Sequence, residues 1–125
     1  MKSDSRIMAF AATINPAAAK KFYEESLGLK LISDDMFALV FDSNGTMLRI
    51  QKLKEHTPVK FTVLGWEVTD INSEIDTLTK SGVVFNRYEG LPQDERNIWT
   101  TQDGTKVAWF NDPDGNILSL TRFIQ

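Results

Sequence analysis

The apolar positions of this chain fall into short runs separated by turn-forming residues, and the runs occur in the same order twice. Residues 7–14 are largely apolar, which predicts a strand buried on both faces. Asn15-Pro16 then supplies an N-cap and a proline for the first helical position. Residues 17–27 are rich in helix formers, with Ala18, Phe22 and Leu27 as the apolar stripe and Gly28 as the stop. Residues 29–33, 37–41 and 46–53 predict three strands. The last two are joined through Asn44-Gly45, the signal of a type I′ hairpin. The first half therefore reads β-α-β-β-β.

The second half repeats this order. Residues 61–68 predict a strand, and Asp70 caps a helix over 71–81 with Ile71, Ile75 and Leu78 on one face. Gly82 ends that helix and residues 83–85 begin a further strand. Residues 86–97 form a polar, irregular insertion with no counterpart in the first half. A short strand at 98–101, a turn at Asp103-Gly104, and strands at 106–110 and 116–123 complete the unit. Its last turn, Asp112-Pro113-Asp114-Gly115-Asn116, is dense in residues that preset φ, accept positive φ or bond back to nearby amides. Aligning Gly45 on Gly115 pairs Leu48 with Leu118, Arg49 with Ser119 and Ile50 with Leu120. One such unit cannot bury both faces of its sheet, so the repeat predicts an α+β fold. In it, two βαβββ modules form a curved mixed sheet around a cleft, with the helices outside. Module one covers about 6–53, the linker 54–59 and module two about 60–124, all within one domain of 125 residues.

Composition narrows the function classes. A 42% apolar and 25% charged chain of this length is an ordinary globular domain with a real core. The net charge of −3 comes with scattered basic residues, which argues against nucleic acid or an anionic membrane as partner. The absence of cysteine removes disulfides, thiolate catalysis and zinc–thiolate sites. No apolar run approaches a membrane span, and the expected location is the cytoplasm.

Two βαβββ modules, the Phe22-Tyr23…Leu27-Gly28-Leu29 pattern and Asp112-Pro113-Asp114-Gly115-Asn116 together resemble the vicinal oxygen chelate superfamily. That group includes glyoxalase I, bleomycin-resistance proteins and extradiol dioxygenases, and the resemblance runs from about residue 7 to 123. It implies a cleft whose metal ligands, in the metal-dependent members, come from the first and last strands of each module. Carried over, those positions are Met8, Arg49, Val63 and Ser119. None is a usual ligand for a hard or borderline divalent ion, which needs carboxylate, imidazole or amide oxygen donors. A register shifted by one residue offers Glu67 and Gln51, still too few for a closed set. The sequence thus predicts no cofactor and no metal. The expected function is metal-independent small-molecule binding of the glyoxalase/bleomycin-resistance type, by a homodimer. The alternatives are a metal-dependent lyase or dioxygenase, and a metal-independent enzyme with Glu67 as base and Arg49 as electrophile.

The candidate ligand contacts are Arg49, Gln51, Glu67, Trp99, Trp109 and Ser119. Alternation along residues 46–53 puts Met47, Arg49 and Gln51 on one face. If that face lines the cleft, Arg49 clamps an acidic group of a ligand; otherwise it pairs with Glu67 or points outward. Glu67 offers an acceptor or a base, and Ser119 one hydrogen bond. Trp99 and Trp109 form a stacking wall for a flat ligand, as in the bleomycin-resistance proteins, whereas Trp66 belongs to the core. His56, the sole histidine, falls in the linker, where a solvent-exposed loop position outweighs a catalytic role.

Overall fold

A computed structural model describes residues 1–124. The chain divides into two compact units, residues 1–57 and 58–125. In unit one the order is β1 (Met8–Thr13), α1 (Pro16–Lys21), a π-helical turn (Phe22–Ser26), β2 (Lys30–Asp34), β3 (Ala38–Ser43) and β4 (Thr46–Lys52). In unit two it is β5 (Thr62–Glu67), α2 (Ile71–Lys80), β6 (Trp99–Thr100), β7 (Lys106–Asn111) and β8 (Ile117–Arg122). Each unit is βαβββ around one four-stranded mixed sheet, in the order β1-β4-β3-β2 and β5-β8-β7-β6 respectively. In both, the first strand runs parallel to the last and the remaining pairs are antiparallel.

The helices form where capping was expected. Asn15 Oδ1 accepts from the Ala18 amide at 3.3 Å and Asp70 Oδ1 from the Ser73 amide at 3.0 Å. Gly28 and Gly82 both take positive φ, 73° and 94°, as the chain leaves each helix. Along α2 the buried residues are Ile71, Ile75 and Leu78, and α2 packs on β8. Along α1 the buried face is one residue out from the expected stripe. Ala19 and Tyr23 are buried, while Ala18, Phe22 and Leu27 are half-buried. The Tyr23 ring packs 5.8 Å from that of Phe41, beneath the face that also carries Leu39, Leu48 and Ile50. The expected 17–27 helix also changes pitch, because the Leu27 amide donates to Phe22 O at 2.9 Å, five residues back.

Residues 83–85 do not make the expected strand. Only Phe85 bridges, to Phe110, and the Asn86 amide donating to Trp109 O at 2.8 Å is part of that bridge. The two main hairpin turns are built differently. In the first, Asn44 and Gly45 adopt φ of 47° and 92°, the type I′ geometry expected. There Asp42 Oδ2 accepts from the Gly45 amide at the long distance of 3.5 Å. In the second, Asp112 is 5% exposed and its carboxylate accepts from the Asp114 amide (3.0 Å), the Asn116 amide (2.9 Å) and Asn116 Nδ2 (2.8 Å).

That asymmetry sets an expectation. Asp112→Ala leaves buried donors without their charged acceptor and should cost about 3 kcal/mol, or roughly 10 °C in Tm. Asp42→Ala, losing one long exposed bond, should cost under about 0.5 kcal/mol. Thermal unfolding of both variants checks this, and equal losses would refute the account of the turn.

Candidate functional site

Ladder partners share a face of their sheet, so the register assigns each candidate side chain. In unit one Met8 pairs with Met47, Phe10 with Arg49 and Ala12 with Gln51. Across β3, Val40 pairs with Arg49 and Ala38 with Gln51. Arg49 and Gln51 therefore stand together on the face turned away from α1, among Met8, Phe10 and Met47. Arg49 is half-buried and Gln51 exposed. Nearby, the Asp35 carboxyl lies below the usual carboxylate range, first because the Phe37 and Ala38 amides donate to it and then through the Arg49 charge.

In unit two Gly65 and Trp109 both pair with Ser119, Glu67 and Val107 with Thr121, and Trp99 with Val107. Glu67, Ser119, Trp109 and Trp99 thus share the face turned away from α2. The structure brings these four together on one sheet, and Arg49 with Gln51 on the other. Trp66 lies on the opposite face of β5, in the row of Leu120 and Ala108, where it is half-buried.

The two indoles stack, with centroids 6.0 Å apart and planes at 30°. Tyr88 meets Trp109 edge-on at 5.6 Å and 84°. Trp109 Nε1 donates to Thr62 Oγ1 at 3.2 Å. Since β8 lies between β7 and β5, that bond carries the indole across β8, the strand of Ser119. Ser119 is only 6% exposed, and a Cβ built on Gly65 would lie 2.9 Å from its Oγ. The hydroxyl thus occupies the space that glycine leaves. Thr62 reaches this face because Val63 is an extra residue in β5: Thr62 and Leu64 pair with consecutive residues, Ile117 and Leu118.

Residues 86–97 are irregular, as expected, but closed by their own side chains. Gln93 is the hub. Its Oε1 accepts from the Tyr88 amide at 2.7 Å, and its Nε2 donates to Asn86 O at 2.9 Å and Asn97 O at 2.8 Å. Asn86 Nδ2 donates to Tyr88 Oη at 3.2 Å and also to Asn111 Oδ1. Asn97, at φ 65°, donates from Nδ2 to Phe85 O at 3.1 Å. Tyr88 is therefore seated by Gln93 and Asn86. Nothing in the spacing of apolar and polar residues marks Tyr88, Thr62, Asn86 or Gln93 for this face; the one signal is the polar density of the insertion around an aromatic.

The residues at the four carried-over metal positions do not fit a divalent ion. Met8 faces Met47, Arg49 brings a positive charge, Val63 is the bulge residue and Ser119 lies opposite Gly65. Among the described residues no three His, Cys, Asp or Glu side chains group closely enough to hold a metal. His56 is half-buried in the segment between the sheets' strands. No helix among the described residues is long and apolar enough to cross a membrane.

The sequence model of the Glyoxalase/Bleomycin resistance protein/Dioxygenase superfamily matches residues 7–120. A search of curated proteins gives no significant match. Among solved structures, the chain is similar to lactoylglutathione lyase from Agrobacterium tumefaciens. The TM-score is 0.74 at 14% identity, over 97% of this chain and 96% of that one. It is also similar to TnmS3, an antibiotic-binding protein from a Streptomyces species, with a TM-score of 0.71 at 22% identity over 98% of each chain. A glyoxalase/bleomycin resistance protein/dioxygenase from Alicyclobacillus acidocaldarius gives 0.71 at 16% identity, over 98% and 93%.

The Gln93 network generates a test that needs no ligand. Gln93→Ala removes the acceptor of the Tyr88 amide and two donors, a local loss of about 1–3 kcal/mol. Hydrogen exchange at the Tyr88 amide should speed up roughly tenfold to a hundredfold while α2 amides are unchanged. Unaltered exchange at Tyr88 would show that the insertion is held by something else.

Proposed function

This chain belongs to the Glyoxalase/Bleomycin resistance protein/Dioxygenase superfamily, and we propose that within it the protein is a metal-independent binder of flat small molecules. The observation that carries this reading is the stacked Trp99–Trp109 pair with Tyr88 at its edge, on the sheet face turned away from α2. Aromatic rings usually enter the core under a helix; these do not. A planar ligand laid on them gains apolar burial and stacking, worth about 0.5–1.5 kcal/mol for each ring pair beyond area. A fold shared with an antibiotic-binding protein supports the reading. So does the lack of divalent-ion donors at the four carried-over positions. Glu67 and Ser119 in unit two, and Arg49 and Gln51 in unit one, are the polar contacts we propose for ligands on their own faces. A guanidinium beside Met8, Phe10 and Met47 on that face suits a carboxylate.

Titration calorimetry with a planar aromatic acid and its methyl ester, chosen by quenching of tryptophan emission, tests these roles. Trp109→Leu should weaken both probes. For an acid bound separately on the unit-one face, Arg49→Met should weaken the acid by one to two decades and leave the ester within about twofold, since a charged hydrogen bond is worth about 1.5–3 kcal/mol. If Trp109→Leu lowers Tm without touching affinity, the indole is structural and the proposal fails. If Arg49→Met weakens both probes equally, Arg49 is not a clamp.

We also propose a homodimer, because β1 and β5 are edge strands of their sheets and edges favour pairing or cover. Protein purified without chelator should scatter light as twice 14.2 kDa and carry well under one Zn, Ni, Fe or Mn per chain. A monomer at micromolar concentration refutes the first statement, and one such ion per chain the second.

A further inference from the structure

The first strand of unit one and its last hairpin enclose a second feature, independent of the indole wall. Arg6, Ile7, Met8, Asp42, Gly45 and Met47 line a cavity of about 320 Å³. Met8 and Met47 are ladder partners in the parallel β1–β4 pair, and Met47 and Asp42 are partners in the antiparallel β3–β4 pair. Two thioethers and a carboxylate therefore stand in one row, on one face, at the wall of one cavity. Both methionines are accessible, at 46% and 40% exposure, where burial would ordinarily hide such side chains.

We propose that this row is a binding site for a soft monovalent cation of the copper(I) or silver(I) class. Thioether sulfur is a neutral, polarisable donor that selects soft ions over zinc, magnesium or calcium. The spacing fits. Neighbouring strands lie about 4.7–4.9 Å apart. Paired methionines on adjacent strands project from positions close enough for both flexible thioethers to reach one ion in the cavity they line. Asp42 adds a carboxylate to a wall that also holds Arg6, and its β2 partner is Lys30, so the sulfurs and not net charge would hold the ion. With no cysteine in the chain, thioethers are the strongest soft donors it has, and His56 is the sole imidazole.

The test uses the full chain labelled at its methionine methyl groups, titrated with silver nitrate in chloride-free buffer. The Met8 and Met47 methyl resonances should move together and saturate at one silver ion per chain, with Met1 and Met36 unmoved. Met8→Leu and Met47→Leu preserve volume at exposed positions, and each should weaken silver binding at least tenfold. His56→Gln should leave it unchanged. Shifts that never saturate, equal responses from Met1 or Met36, wild-type affinity in either leucine variant, or loss of binding in His56→Gln would each overturn the proposal.

Discussion

Parallel pairing between the first and last strand of each unit is the constraint on which the rest depends. A parallel ladder cannot be closed by a tight turn, so the chain must travel out and back between its two members. The helix and the middle strands are that journey. In both units it buries one face of the sheet under a helix, through Tyr23 on Phe41 and through Ile71, Ile75 and Leu78 near β8. The other face is left to carry whatever the first and last strands present. Every candidate residue on β1, β4, β5 and β8 owes its position to this arrangement.

The units then differ in how they use that freedom. Unit one carries on its free face the half-buried Arg49 cation among apolar and polar neighbours, with the methionine row at one end. Unit two lays Trp109 across β8, tethers it to Thr62 and abuts it with Tyr88 from the insertion. The insertion is ordered mainly by amide side chains bonding to backbone groups, with Gln93 touching three partners. It behaves as a shaped wall, and its hydrogen bonds replace the ladder that residues 83–85 do not form beyond Phe85.

Much of this was legible in the residues. Caps, positive-φ glycines and the Asn44-Gly45 turn are local chemistry, and each appears where its residues stand. The α2 face was equally plain because Ile71, Ile75 and Leu78 are set among polar neighbours. The α1 face was not. Ala17, Ala18 and Ala19 offer three equivalent starts to a stripe, and Phe22-Tyr23 two equivalent ends, so spacing alone could not choose. Site register was legible for Arg49 and Ser119, aligned by the repeat, but not for Thr62, since the bulge at Val63 leaves no mark in composition. Gln93 was silent for another reason: two of its partners are carbonyls and one is an amide, groups every residue has.

The bulge has a hereditary consequence. Upstream of Val63, which side chains of β5 face Trp109 depends on whether the count of residues is odd or even. Substitutions can alter one wall group at a time. Gain of a single codon between 62 and 64, with the one-residue bulge kept, would instead exchange the whole upstream set in one generation, withdrawing the Thr62 hydroxyl and bringing its neighbour to the indole. Descendants of this gene can therefore present new side chains to the Trp109 indole faster by insertion than by point mutation, and β5 is the strand in which such length variants should be sought.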